Sequence, residues 1–350
     1  MSAPAPAPVP VPDVESLTSW VADAVAAPSM HNAQPWLFRH RRSAGELVLR
    51  MDPGRTMPET DPDSRGLHLG CGAALFNLRV AAAHAGWHAR IRLVPDAAEP
   101  ETLAVVTFVR PDGEEAEDTG VAELRPAIGR RHTSREPFRD EAVAQPLLDG
   151  LRGAARAEGA RLDFAGDWQA LDLLDLVWEA EHMEEHSPAA RAEIARWASE
   201  GIPPDALGPR RYDGRAPVRD LAGGRPVEGR GTAVFERAPC LAVLGTREDS
   251  REDWLRAGQA MERVLLRATL DGLSTSLNSQ AVEWPELRRL LRDPLSGMGH
   301  PQMLLRFGYG PEAPATPRRP VSEVLVVVRV LHDVRVHVHG DADLRVAQDL

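Results

Sequence analysis

Only two cysteines occur in 350 residues, Cys71 and Cys240, and they stand far apart without any paired spacing. That supports neither a disulfide framework nor a thiolate zinc site, and fits buried apolar filler in a reducing cytoplasm. Positive charge is also short: 41 Lys and Arg face 52 Asp and Glu, and the net charge of −11 argues against a nucleic-acid or anionic-membrane surface. No apolar run is long enough to span a bilayer. The opening SAPAPAPVPVP lacks a basic start and an apolar core, so residues 1–12 read as a disordered or polyproline leader and not as a signal peptide. Twenty-eight glycines are present, yet none forms G-x-G-x-x-G after a strand or G-x-x-x-x-G-K, so both familiar backbone cradles for phosphate are missing. What remains is ordinary globular composition, 43% apolar and 27% charged, pointing to a small-molecule partner. At about 150 residues per domain, the length favours two structural units.

The most informative segment is APSMHNAQPW, Ala27 to Trp36. Val14, Leu17, Val21, Ala24 and Val25 recur at helical spacing behind Asp13 as N-cap, which predicts a helix over 14–27 stopped by Pro28. Ser29, His31, Asn32 and Gln34 then place four hydrogen-bonding side chains in six residues, with Trp36 as an aromatic wall. Such a loop exposes backbone and donors to a flat polar ligand.

The rest of the first half reads as a strand at 46–51, a helix from Gly72 to about Ala85, and strands at 89–94 and 103–109. After the acidic run 111–120, the second half offers helices around 141–158 and 168–186, a strand at 240–246, a helix from Trp254 to Gly272, and strands at 303–309 and 324–331. The similar order suggests duplication. A shift of 186 positions superimposes Gly72 on Gly258, Gly86 on Gly272, Ala74 on Ala260 and Ala82 on Ala268. The Gly-, Pro- and Arg-rich stretch 191–231 fits neither half and reads as a lid or a linker, with Trp197, Ile202, Leu207 and Tyr212 as packing anchors. The tail 331–350 alternates valines with Arg335, His337 and His339 as a half-buried edge strand would.

RRHTSREPF packs Arg130, Arg131, His132, Thr133 and Arg135 into six residues of an acidic protein, a cluster that suits phosphate oxygens or, equally, pairs with the acidic run 111–120. Arg318 and Arg319 before Pro320 could close over the same anion, or form only a turn. Without a glycine cradle the nucleotide would be gripped by arginines, which leans towards a monophosphate such as FMN. GLSTSLN, Gly272 to Asn278, offers hydroxyls and backbone donors, and reads equally well as a capped helix end and turn. His182, Glu185 and His186 satisfy the H-x-x-E-H spacing of some zinc peptidases. An acidic helix produces the same spacing by chance, so a solvated face is the stronger reading and no metal is assigned.

APSMHNAQPW resembles the A-P-S-x-x-N-x-Q-P-W signature of FMN-dependent nitroreductases, and RHTSREPF resembles their Arg-x-Ser/Thr-x-Arg/Lys segment. The order of the two is reversed relative to ordinary members, which is similar to the Acg-type branch, where two halves are fused in one chain. The resemblance implies an α+β, nitroreductase-like pseudo-dimer with halves at 13–120 and 121–330, a lid near 191–231, and one FMN per chain. It further implies that Arg131, Thr133 and Arg135, with the backbone of His132 and late basic Arg318, hold phosphate and ribityl. Pro28, Ser29, His31, Asn32 and Gln34 would line the flavin from the other half, and Ser276, Leu277 and Asn278 would approach its reactive edge. Arg130 and Arg319 join the candidate set as neighbours. The expected activity is hydride transfer from NAD(P)H through FMN to a nitro, quinone or similar small acceptor, by a cytoplasmic monomer. FMN storage with little turnover is the alternative, and His31 is the nearest, weak candidate for a proton donor.

Overall fold

An extended Asp13 opens the first helix: its Oδ1 accepts the Ser16 amide at 2.8 Å. The structure, a computed structural model, describes residues 11–110, 119–223, 225–292 and 298–328. Helix α1 (Val14–Ala24) buries Leu17, Trp20, Val21 and Ala24 and ends three residues before the expected stop. Strands β1 (Trp36–Arg41) and β2 (Glu46–Met51) form a hairpin, followed by helix α2 (Arg65–His84), β3 (His88–Leu93) and β4 (Thr102–Val109). Short helices α3 (Thr119–Ala122) and α4 (Arg125–Ile128) lead into α5 (Gln145–Ala157) and β5 (Arg161–Phe164). Then come α6 (Asp167–Glu185), α7 (Pro188–Gly201), β6 (Arg210–Asp213) and β7 (Thr232–Val234). The chain continues through β8 (Cys240–Thr246), α8 (Arg251–Leu270), β9 (Ser274–Asn278), α9 (Gln280–Glu283), α10 (Pro285–Leu290) and β10 (His300–Gly308). It closes the described region with α11 (Val321–Val324) and β11 (Leu325–Val328).

One architectural unit occurs twice. Helix, strand, strand, helix, strand, strand runs as α1-β1-β2-α2-β3-β4 and again as α5-β5-β8-α8-β9-β10, and the sheets have matching orders, β1-β2-β4-β3 and β5-β8-β10-β9. The two copies differ most at one connection, and less at a second, where α9 and α10 stand between β9 and β10 while residues 94–101 alone join β3 to β4. Residues 42–45 join β1 to β2, whereas β5 and β8 are separated by α6, α7 and the small parallel pair β6-β7. The 191–231 stretch lies inside that insertion, and it opens in helix α7, capped by the Ser187 hydroxyl accepting the Ala190 amide. Of its expected anchors, Trp197, Ile202 and Leu207 are buried, while Tyr212 is exposed.

The copies pack through α2 and α8, which cross where Gly72 meets Gly258. A Cβ on Gly72 would stand 2.3 Å from the Leu255 carbonyl oxygen, and one on Gly258 2.1 Å from that of Leu69, so only glycine admits this approach. The apolar core is continuous across the crossing, from Leu17 and Trp36 through Leu75 to Val264 and Leu305. The second exchange is at the chain's end: β11 returns to the first sheet and pairs parallel with β1, Phe38 opposite Leu325 and Arg41 opposite Val328.

Several sequence expectations need correction. Helix α2 begins at Arg65, not Gly72, because the Asp61 carboxylate caps the Gly66 and Leu67 amides at 2.8 Å. In GLSTSLN both readings apply: Gly272, at φ 76°, caps the end of α8 with the Leu273 amide donating to the Ala268 carbonyl at 2.9 Å, and Ser274 to Asn278 form strand β9 because β10 supplies a hydrogen-bonding partner. Trp36 is fully buried in the core and does not line the cavity described below. Strand β11 is described only to Val328. The leader 1–10, the run 111–118 and the tail with His337 and His339 lie outside the described residues. Both cysteines are free, Cys71 buried and Cys240 half-buried. Among the described residues no helix is long and apolar enough to cross a membrane.

Candidate functional site

A cavity opens between the two copies, and most of the candidate residues meet there. Pro28, Ser29 and His31 enter from the loop after α1, Thr133 and Arg135 from the segment after α4, and Ser276, Leu277 and Asn278 from β9. The RRHTSREPF segment is fixed against β9 by the Ser134 amide, which donates to the Thr275 carbonyl at 2.8 Å. Opposite, the α1 loop is held in a tight conformation: His31, Asn32 and Gln34 all take positive φ, at 48°, 58° and 54°. Such backbone persists only where its surroundings over-determine it, and it clusters at ligand sites. Here the Ser29 hydroxyl accepts the Gln34 amide at 2.9 Å, and Gly70 of α2 lets Ser29 approach, since a Cβ there would lie 3.2 Å from that of Ser29.

A basic end follows, whose buried Arg131 and half-buried Arg318 do not themselves line the cavity. Arg131 and Arg318 both donate to the Ala26 carbonyl, at 3.2 and 3.1 Å, so guanidinium groups from distant parts of the chain meet at the end of α1. Beyond those bonds, Nε and Nη1 of Arg131 and Nε of Arg318 are buried with no hydrogen-bond acceptor. Glu262 of α8 stands 3.5 Å from Arg131, and both side chains are almost wholly enclosed, at 2% and 0% exposure. Burial pushes Glu262 up to about 7 despite that cation. Burial, with the charges of Arg131 and Arg318, lowers His132.

The insertion supplies the remaining wall. Arg135 donates to the Ala206 carbonyl at 3.0 Å, and Gly208 lies so near that a Cβ would come within 2.5 Å of the Arg135 oxygen. Val218, Arg219 and Leu221 line the cavity, and Arg219 is clamped by Glu283 at 2.7 Å and Glu184 at 2.8 Å. Asn278 secures the same strap by donating to the Pro217 carbonyl at 3.3 Å. Asn32 is a keystone more than a wall: its amide donates to Gly201 at 2.7 Å and Pro317 at 2.9 Å, and its oxygen accepts from Arg318 at 3.1 Å. Burial, then the charges of Arg219 and Arg135, hold His31 well below its ordinary value, so the ring is neutral. Its Nε2 is buried without a partner.

Other candidates lie outside the cavity lining: Asn32, Arg131, His132 and Arg318 as well as those that follow. Arg130 is exposed and lines none of this cavity, whereas its neighbour Arg131 is buried. Arg319 is engaged by Asp52 at 3.1 Å and by Gln34, whose side-chain oxygen accepts the Arg319 amide at 2.8 Å. Gln34 thus ties the α1 loop to the C-terminal segment. His182 and His186 turn their Nδ1 atoms to helix carbonyls, of Trp178 and His182, and no group of three potential metal ligands gathers among the described residues. Sequence reasoning missed Arg65, Leu69, Met261, Met303, Arg219 and Glu283 as lining residues. One signal was available, the pair Gly66 and Gly70 on one helix face, where a Cβ would meet Met30 or Ser29.

No protein-family model matches the chain. A crystal structure of a protein described as a putative nitroreductase, from Anabaena variabilis, is 11% identical and covers 86% of this chain and 90% of its own, with a TM-score of 0.50. The twice-repeated α+β unit is therefore the nitroreductase fold. Among sequence relatives, the Mycobacterium tuberculosis protein named putative NAD(P)H nitroreductase acg is 32% identical over 321 residues, 89% of this chain and 95% of that one. An uncharacterized protein of the same organism is 31% identical over 318 residues, 87% of this chain and 91% of its own. The chain belongs to the nitroreductase family, in its Acg-type branch.

Proposed function

We propose that this chain binds one FMN non-covalently between its two copies and works as an NAD(P)H-dependent oxidoreductase on a nitro compound, quinone or similar small acceptor. The observation that carries the reading is the set of three buried guanidinium N–H positions, two on Arg131 and one on Arg318, that lack an acceptor. Each such group costs about 1–3 kcal/mol while unsatisfied, and anionic oxygens relieve that cost. A phosphomonoester fits the set. Thr133 and Arg135 line the same cavity as β9 and suit a hydroxylated chain, and the loop 28–31 with Ser276, Leu277 and Asn278 would flank the flat ring. When bound, FMN supplies the redox chemistry, accepting a hydride from the nicotinamide and passing it to the acceptor. The chain's residues bind, orient and exclude water. Neutral His31 serves as a hydrogen-bonding side chain beside the ring and not as a charged acid.

The relatives' printed names support the NAD(P)H assignment, and the internal α2–α8 packing supports a monomer with halves at 13–120 and 121–330. Two free cysteines suit a cytoplasmic location. The deciding experiment is the visible absorption spectrum of purified protein, with the released cofactor identified by mass. A colourless protein that takes up no added FMN overturns the reading.

A second reading, FMN storage, is favoured by one observation: the strap carrying Arg219 borders the cavity and is pinned by two carboxylates. Anaerobic mixing with NADPH or NADH separates the two. Rapid bleaching, reversed by a nitroaromatic or quinone, indicates an enzyme, and colour that persists over minutes indicates storage.

A further inference from the structure

Glu262 has no role in the site as described above, and its position is electrostatically awkward. Its carboxyl projects from α8 into the interior, with both oxygens buried and neither in a well-formed hydrogen bond, Asn77 being the polar side chain at hand. Arg131 faces it from the segment after α4, Arg318 from the stretch before α11, and Asn77 from α2. Asn77 is itself fully buried, with neither its oxygen nor its nitrogen partnered. A carboxylate thus sits beside the two guanidinium groups with unpaired donors. An ionised Glu262 and an anionic ligand would compete for the same cations.

We propose that Glu262 is a positioning residue that holds Arg131 while the cavity is empty and gives it up to a phosphomonoester by taking a proton from solvent, so that FMN capture is coupled to proton uptake. The proposal rests on the reading that Arg131 holds the FMN phosphate. The balance is simple: one proton adds to the Glu262 carboxylate as the phosphate dianion arrives, and the cluster's net charge changes by minus one instead of minus two. The resulting acid finds in Asn77 both an acceptor for its O–H and a donor for its carbonyl oxygen.

Glu262 is already pushed up to about 7 by burial, so it is mostly ionised at pH 8 in the empty protein, and a neighbouring dianion raises it further. The nearby titratable group, His132, lies below its ordinary value and stays neutral above pH 7. The window from pH 7 to 8.5 therefore isolates Glu262.

The test titrates flavin-free full-length protein with FMN, and with riboflavin as a phosphate-free probe, at pH 7.0 and 8.5. Calorimetry at pH 8 in two buffers of different ionisation enthalpy counts protons. The unmodified protein should lose roughly tenfold in FMN affinity across that window and take up about one proton per FMN at pH 8. Riboflavin binding should be flat, and Glu262→Gln should bind FMN with a flat profile. A flat FMN profile without proton uptake in the unmodified protein overturns the proposal, as does an equal slope in Glu262→Gln or with riboflavin. Should Glu262→Gln fail to fold, proton counting on the unmodified protein decides alone. Failure to bind FMN at any pH overturns the FMN reading instead.

Discussion

Arg131 and Arg135, four positions apart in one segment, have different surroundings and should respond differently to truncation. Arg135 lines the cavity and holds only the Ala206 carbonyl, so Arg135→Ala should leave the fold intact. It should weaken FMN binding by about ten- to a hundredfold, the equivalent of one charge-assisted bond, measurable by flavin fluorescence titration. Arg131→Ala removes the cation from a fully buried carboxyl, which costs about 3–5 kcal/mol when that carboxyl is ionised. Glu262 has a raised folded value, so the folded state binds the extra proton and stability falls as pH rises from the ordinary carboxylate range through about 7. Without Arg131 that fall extends to higher pH. Urea unfolding of Arg131→Ala should accordingly show a smaller deficit at pH 5.5 than at pH 8. His31 supplies a third residue-level expectation: its ring, neutral through burial and two guanidinium neighbours, should show no titration between pH 6 and 8 by nitrogen NMR. A protonated imidazole at pH 6 would contradict the packing described.

Part of the candidate cavity was legible, because APSMHNAQPW and RRHTSREPF concentrate polar side chains where a plain turn needs few. Direction was not. Nothing in RRHTSREPF distinguishes exposed Arg130 from buried Arg131, and nothing in RATL or QAMERV marks Glu262 as facing inward, since the contacts come from segments more than 100 residues away.

At the scale of elements, the α2–α8 crossing is the most sensitive contact. Gly72→Ala or Gly258→Ala drives a methyl group into helix backbone, which the partner helix can relieve only by moving away, and should cost about 1–3 kcal/mol in denaturant unfolding. Gly153→Ala, on the exposed face of α5 with nothing within 4 Å, should instead stabilise by about 0.5–1 kcal/mol. The strap gives a kinetic prediction. Arg219→Met removes both links to Glu184 and Glu283 while leaving the basic end intact, so FMN should remain bound and its reduction by NADPH should accelerate in stopped-flow absorbance. An unchanged rate would remove the strap as the limiting barrier. The elements themselves were mostly readable from period and caps. Strand β1 and the shortest elements escaped that reading; among the others missed, β5 and β9 are short polar strands, formed because β8 and β10 lie beside them, and α7 hides in a glycine- and proline-rich stretch whose helical part is polar outside.

For the whole molecule, the duplication is stronger in topology than in sequence. Four small-residue matches hinted at it, and the matched sheet orders with the Gly72–Gly258 contact give it physical content. Because the packing that two subunits would provide is internal, light scattering should return 38.2 kDa, one chain, carrying one flavin. Two flavins per chain, or a stable dimer, would contradict the arrangement.

The return of β11 to the edge of β1 also sets the timing of assembly on the ribosome. The first sheet contains the earliest strands to be made, yet its outer edge stays unpaired by β11 until residues 325–328 have been synthesised. The basic end likewise waits for Arg318, which must reach back to Asn32 and Ala26 across nearly the entire chain. The two contacts therefore form only after both copies have been synthesised, and a nascent N-terminal half presents an open strand edge for longer than its own length requires. A ribosome-stalled chain ending before Arg318 should be colourless in the presence of FMN and should gain protease resistance only once β11 has emerged.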